Sequence, residues 1–290
     1  MSGWGIRGKR VLITGGTAGI GLRTAVALAS RGARVVITAR DEEKAKRARE
    51  SIATESNADV DSVLLDLASF DSIRACAREI AARFDALHVL LNNAGLVLTR
   101  RSETREGFEM TLGVNHVGPF LLTKLLLDML ERSGPARVVN VASGAHRRVK
   151  SGLDFEDLNL EQRYDGWHAY CCSKLANIYF TRELARRLEG RPVTANSLHP
   201  GYVSTRLGKD GDTGGWLRLL LGVTMPLLAL DADDGARTSI HCVVSPELSD
   251  VSGAYFVECR EQPPSPVARE DGPARRLWDI TETWVGQGHP

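Results

Sequence analysis

The stretch that decides the fold is Arg10-Val-Leu-Ile-Thr-Gly-Gly-Thr-Ala-Gly-Ile-Gly21. A short aliphatic run ends at Thr14, glycines follow at 15, 16, 19 and 21, and the next residues, Gly19–Arg31, have helical character. Strand, glycine-rich loop and helix in that order form a place for a phosphate. Gly15 is suited to the positive φ of a tight turn. Gly19 and Gly21 lack a Cβ, so backbone and pyrophosphate can approach closely. The helix points its free N–H groups and positive dipole end at the phosphates. The expected dinucleotide contacts here are Gly15, Gly16, Thr17, Ala18, Gly19, Ile20 and Gly21. The spacing is Gly-x-x-x-Gly-x-Gly, not the Gly-x-Gly-x-x-Gly of many dinucleotide folds. Such turns also arise for packing reasons alone, so the rest of the chain must support the reading.

Outward from this unit, short aliphatic runs alternate with helical patterns. Expected strands are Arg10–Thr14, Arg34–Ala39, Ser62–Asp66, His88–Leu91, Arg137–Val141, Val193–Leu198 and Ala254–Val257. The first few are continuous apolar runs, as in strands buried on both faces of a parallel sheet. Helical segments include Glu42–Thr54, Asp71–Phe84, Gly118–Glu131, Ala169–Leu188 and a last helix around Ala274–Trp284. The expectation is α/β: one doubly wound Rossmann-type domain over residues 1–290 with a central seven-stranded parallel sheet. Two segments depart from the alternation. Gly208–Gly215 has the composition of a flexible loop and leads into the apolar run Trp216–Leu230. Residues 208–230 read either as a substrate lid, closing over the site to exclude water, or as a loop and an ordinary buried helix. Glu261–Pro273, with four prolines, reads as irregular surface chain.

Composition excludes several function classes. A net charge of +1 leaves no electrostatic footprint for nucleic acid. Five cysteines, with no Cys-x-x-Cys pair, point to a reducing compartment. No His-Glu-x-x-His pattern occurs, so no metal site is expected. Residues 1–10 carry no signal peptide pattern, and Trp216–Leu230 is too short for a bilayer, which takes roughly 20 apolar residues. The expected location is cytoplasmic, with peripheral membrane contact through Trp216–Leu230 left open.

The second expected strand ends Thr38-Ala39-Arg40. A guanidinium there suits bidentate bonding of a ribose 2′-phosphate, which favours NADP(H). Asp41, one position later, argues back toward NAD, where an acid holds the 2′-OH. Asp66, followed by Leu67, ends the third strand; its carboxylate is placed either to accept from an adenine amine or to cap the helix near Ser69. Asn93, Ala94 and Gly95 follow the fourth strand, at the carboxyl edge where open α/β sheets bind ligands.

Tyr170 and Lys174 are four apart on an expected helix and share a face. The other tyrosines, 164, 179, 202 and 255, have His168, Glu183, Arg206 and Cys259 at that offset. An ammonium beside the phenol is expected to lower its pKa from about 10. Tyr170 is then the acid for a carbonyl oxygen as hydride arrives, or the base in reverse. Ser143, ending the fifth strand, hydrogen-bonds the same substrate oxygen, and Asn115 holds Lys174 in place through water. Cys171 and Cys172 beside the tyrosine read as core packing. His199 opens a His-Pro-Gly segment whose Pro200, Gly201 and nearby Val203 bring backbone to a nicotinamide.

These residues resemble the short-chain dehydrogenase/reductase family over nearly the whole chain. Within it, the segments Ala169-Tyr-Cys-Cys-Ser-Lys-Leu-Ala-Asn177, Phe180–Leu188, His199–Val203, Ser252–Phe256 and Arg275–Asp279 resemble the NADP-linked retinol dehydrogenases. So does the long gap between Ser143 and Tyr170, with Asp154-Phe-Glu-Asp-Leu158 inside it. The resemblance implies NADP(H) and retinal or another apolar aldehyde or ketone. Steroids, fatty aldehydes and secondary-metabolite ketones are alternative substrates, and an NADP-binding regulatory protein without catalysis is the alternative class. It also implies pairing of two copies through the helices of Asn115 and Tyr170. Such enzymes usually begin with a membrane-anchoring helix, and Met1–Arg10 does not read as one.

Overall fold

The computed structural model describes residues 4–201 and 232–290. These form one sheet in the order β3-β2-β1-β4-β5-β6-β7-β8. The strands are β1 (Arg10–Ile13), β2 (Arg34–Ala39), β3 (Asp61–Leu64), β4 (Val89–Asn92), β5 (Ala136–Val141), β6 (Val193–His199), β7 (Tyr255–Val257) and β8 (Arg260–Glu261). The first seven are mutually parallel, as expected. The eighth was not: β8 turns back antiparallel on β7 within what reads as irregular chain. Its turn, Glu258–Cys259, takes positive φ at both residues (50° and 61°). That geometry suits a two-residue hairpin but normally recruits Gly or Asn, so the sequence carried no turn signal.

The sheet is buried on both sides because its central strands carry apolar residues on both faces. Along β1, Leu12 packs with one core cluster while Val11 and Ile13 pack with the other. Helices α3 (Phe70–Arg83), α5 (Gly118–Arg132), α6 (Gly166–Arg187) and α8 (Asp271–Gln287) contribute to the first cluster. Helices α1 (Gly19–Ala29), α2 (Glu42–Ser56) and α7 (Ala232–Val244) contribute to the second. A one-turn α4 (Met110–Leu112) precedes α5. Each fully buried Leu, Ile or Val contributes roughly 1.5–3 kcal/mol. Beneath the sheet a polar ladder fixes register: Asn92 Nδ2 donates to Thr123 Oγ1 and Asn140 Oδ1, and Asn140 Nδ2 donates to Thr181 Oγ1.

Strand order reverses between β1 and β4, and the crevice at their carboxyl ends is where such sheets bind ligands. Of the expected features, Val203, the Gly208–Gly215 loop and the Trp216–Leu230 lid lie outside the described residues.

Candidate active site

The glycine loop is tied to the segment after β4 by Thr14 and Asn93. Thr14 Oγ1 accepts from Asn93 N and Ala94 N, both at 3.0 Å, and Asn93 Nδ2 donates to Thr14 O at 2.8 Å. Gly15 has φ of 68° and Gly19 of 53°, the conformations a glycine is needed for. A Cβ on Gly21 would lie 2.3 Å from Gly15 O, and one on Gly16 2.6 Å from Ile37 Cγ2. Gly21 therefore also lets α1 seat against the loop itself. Helix α1 starts at an extended Ala18, and among the described residues no side chain caps it. Its first N–H groups, beside half-exposed Thr17 and Ile20, lack that partner.

Arg40 is exposed at the end of β2. Asp41 is occupied as the cap of α2: Oδ1 accepts from Lys44 N at 2.8 Å, and Oδ2 lies 3.0 Å from Lys44 Nζ. Those bonds hold its carboxyl below the usual range. Asp66 is exposed and turned toward its own backbone, accepting from Ala68 N at 3.0 Å, while Ser69 caps α3. Leu67 is buried and its carbonyl meets α5, since a Cβ on Gly118 would sit 2.7 Å from it. Pro200 and Gly201 (φ 87°) follow β6 and line a cavity of about 350 Å³ with Arg237, Thr238 and Cys259.

Tyr170 and Lys174 share the inner face of α6, with the ammonium 5.5 Å from the tyrosine ring centre. Lys174 is buried, and its Nζ donates to Val141 O at 2.9 Å, where β5 ends. Two residues on, Ser143 caps a 3-10 turn (Gly144–Arg148), its Oγ accepting from Ala145 N at 3.2 Å, and its side chain acts on the Tyr170 phenol to lower its pKa. Asn115 lies in a π-helical turn, Gly113–Val117, between α4 and α5. Its Oδ1 accepts from Leu96 N at 2.8 Å, and its Nδ2 donates to Leu96 O at 2.9 Å and Ser173 Oγ at 3.0 Å. Ser173 Oγ in turn donates to Tyr170 O at 2.8 Å. Asn115 thus grips the chain after β4. It and Lys174 meet at Gly95, where a Cβ would lie 3.3 Å from Asn115 Oδ1 and from Lys174 Nζ. Ser173 is the link sequence reasoning missed; its only signal was adjacency to Lys174.

The expected lowering of the tyrosine pKa is reversed. Burial pushes the Tyr170 phenol up to about 12, and the Ser143 hydrogen bond only partly opposes it. Burial also brings Lys174 down to about 8. Desolvation of the tyrosinate is the largest cause, and the Cys171 thiol beside it adds to the rise. Cys171 is buried and Cys172 half-buried, both thiols raised to about 12 by burial, as packing cysteines are. His199, lowered by burial to about 4, is neutral; a Cβ on Gly144 would come within 3.1 Å of its Nε2.

The long segment between Ser143 and Tyr170 folds back onto the chain after β4. Asn159 Oδ1 accepts from Glu109 N at 2.7 Å, and Tyr164 OH donates to Leu98 O at 3.3 Å. Gly166 then approaches Leu98 so closely that a Cβ would be 1.8 Å from its carbonyl oxygen. Among the described residues no group of His, Cys, Asp or Glu is placed to hold a metal ion, and no helix is long and apolar enough to cross a membrane.

A parallel sheet ordered 3-2-1-4-5-6-7, with a glycine loop at the reversal and Ser, Tyr and Lys gathered at the neighbouring strand ends, defines a nucleotide-linked oxidoreductase. The sequence profile described as short chain dehydrogenase matches residues 9–154 and 158–214, and the chain belongs to that family. Human retinol dehydrogenase 12 is 47% identical over 280 residues, covering 96% of this chain and 87% of that protein. Mouse retinol dehydrogenase 14 is 44% identical over 292 residues, covering 97% and 87%. Among solved structures, an uncharacterized protein from Mycobacterium paratuberculosis is 34% identical with a TM-score of 0.77, covering 98% of this chain and 96% of that one. Pseudomonas aeruginosa RhlG, solved as an active-site complex with NADP, is 25% identical with a TM-score of 0.69, covering 88% and 97%. The protein is a short-chain dehydrogenase/reductase acting on alcohol and carbonyl groups, related to the retinol dehydrogenases.

Proposed function

We propose that the protein interconverts an apolar aldehyde or ketone and its alcohol with NADP(H), retinal and retinol being the named pair. The observation that carries this is the convergence of Ser143, Tyr170 and Lys174 at the end of β5, beside the uncapped start of α1. Gly15, Gly16, Thr17, Ala18, Gly19, Ile20 and Gly21 hold the pyrophosphate, and Asp66, Leu67, Asn93, Ala94, Gly95, Pro200, Gly201 and Val203 flank the rest of the dinucleotide. Asp41 is drawn into capping α2 and onto Lys44 rather than toward a bare 2′-OH, and the Arg40 guanidinium at the end of β2 has the chemistry for a 2′-phosphate. NADP(H), when bound, supplies or accepts the hydride. Ser143 hydrogen-bonds the carbonyl oxygen and Tyr170 gives it a proton; in the oxidative direction Tyr170 takes the proton back. Tyr170 protonated at neutral pH suits the reductive role in the free protein. Lys174 sets the local potential, and Asn115 keeps Lys174 and Gly95 in register.

The test is NADPH oxidation by the purified protein with all-trans-retinal and with aliphatic, aromatic and steroid carbonyls, repeated with NADH. Retinal turnover with NADPH at low micromolar KM is expected. Turnover of other carbonyls alone discards retinal and keeps the chemistry. Tight NADPH binding with no turnover of any carbonyl discards catalysis and leaves a regulatory NADP-binding protein.

A further inference from the structure

Trp167, Tyr170 and Lys174 fall at i, i+3 and i+7 on α6 and so form one stripe. The Trp167 ring stacks on the Tyr170 ring, centroids 5.5 Å apart and planes at 25°. The two rings are not equally covered: Tyr170 is 9% exposed and Trp167 38%. One indole face therefore lies on the tyrosine while 38% of the residue stays open to solvent. Among the described residues the large apolar side chains left exposed are Leu64, Leu125 and Trp167, and Trp167 is the one beside the site.

Its base is fixed. Asp165 caps α6 by accepting from His168 N at 2.6 Å, and Gly166 is wedged against the Leu98 carbonyl. The indole thus stands on backbone held on both sides. A flat aromatic surface with few rotatable bonds, already ordered, costs little entropy to use as a contact.

The geometry points to the solvent-exposed part of Trp167 as the platform for the planar, conjugated part of the carbonyl substrate, one helical turn from the tyrosine that handles its oxygen; this deepens the function proposed above and rests on it. A polyene or aromatic ring adjoining the carbonyl lies flat on the indole and excludes water from it. A short saturated chain gains little there. The substrate class it selects is an extended conjugated aldehyde or ketone.

The experiment compares wild type with Trp167→Ala, Trp167→Leu and Trp167→Phe, using all-trans-retinal and propanal with NADPH. Trp167→Ala and Trp167→Leu are expected to lower kcat/KM for retinal roughly tenfold, mostly through KM, with propanal within about twofold. Trp167→Phe recovers most of the loss. Equal losses on both aldehydes, or no loss on retinal, overturn the platform and would leave Trp167 a packing cover for Tyr170. The same proteins loaded with NADP+ are titrated with retinal, reading tryptophan fluorescence quenching. If wild type reduces no carbonyl, the enzymatic reading falls by itself. An unchanged retinal affinity in Trp167→Leu overturns the platform whether or not turnover is seen.

Discussion

Lys174 is kept in the core against its own chemistry. Its drop from the usual 10.5 to about 8 corresponds to roughly 3 kcal/mol of penalty on the charged form. The sign follows from linkage: the unfolded chain binds the proton more tightly, so the penalty is full below pH 8 and fades as pH rises toward 10.5. Lys174→Met removes it and loses one hydrogen bond to Val141 O, which Asn177 Nδ2 still contacts at 3.3 Å. The variant is expected to be more stable by about 2 kcal/mol at pH 7 and inactive. Calorimetry at pH 7 and pH 10.5 checks this; the gain in Tm should shrink at the higher pH, and a lower Tm at pH 7 would refute it. Tyr170→Phe should keep NADPH affinity and lose roughly 10²–10⁴ in kcat. Arg40→Ala should raise KM for NADPH roughly tenfold and leave KM for NADH unchanged, as steady-state kinetics would report. At this scale the sequence showed the reactive groups but not their environment. The Tyr170–Lys174 spacing was legible; the reversed pKa was not, because it depends on what β5 and the 3-10 turn bury around the phenol.

The glycine loop and α1 behave as one element, held by contacts too close for any side chain. Gly21→Ala would place a Cβ 2.3 Å from Gly15 O, and backbone cannot swing aside as a side chain can. The expected cost is roughly 1–3 kcal/mol or more, with NADPH affinity lost as α1 lifts from Thr14 and Asn93. A denaturant midpoint and an NADPH titration measure both; an unchanged affinity would separate the loop from the helix. Strands were legible as elements because those buried on both faces are continuous apolar runs. The β3 boundary was less so: Leu64, apolar but 46% exposed, is followed by Leu65, which is buried but past the strand. Helix α7 was not legible at all. Its Gly235, Thr238 and Ser239 are weak helix formers, and they are buried small residues against α1, so packing rather than propensity makes this helix. The π-turn holding Asn115 was equally hidden, since one inserted residue barely disturbs a helical pattern.

Across the whole molecule the two ends of the sheet have different tasks. The carboxyl ends carry the crevice. At the amino end of β5, Arg137 is buried and donates to Cys242 O, Val243 O and Ser245 O, closing the last turn of α7. Burial lowers its pKa to about 10, so it stays charged at neutral pH. Arg137→Met is expected to cost about 3 kcal/mol by removing the donor to Cys242 O and Ser245 O and leaving Val243 O with Trp4 alone, with KM for NADPH unchanged. Urea unfolding and steady-state kinetics on one preparation decide it; a shift in KM would mean the two ends are coupled. Nothing in the sequence announced this residue, because an arginine in an expected strand reads as a surface charge. Trp4 covers Arg137 with its ring, 3.9 Å from the guanidinium, and donates from Nε1 to Val243 O at 2.9 Å. Trp4 and Arg137 thus lie together at the amino end of β5, away from the carboxyl ends that carry the crevice. A support that grips the protein on the face of Trp4 would leave every crevice turned outward to the solution.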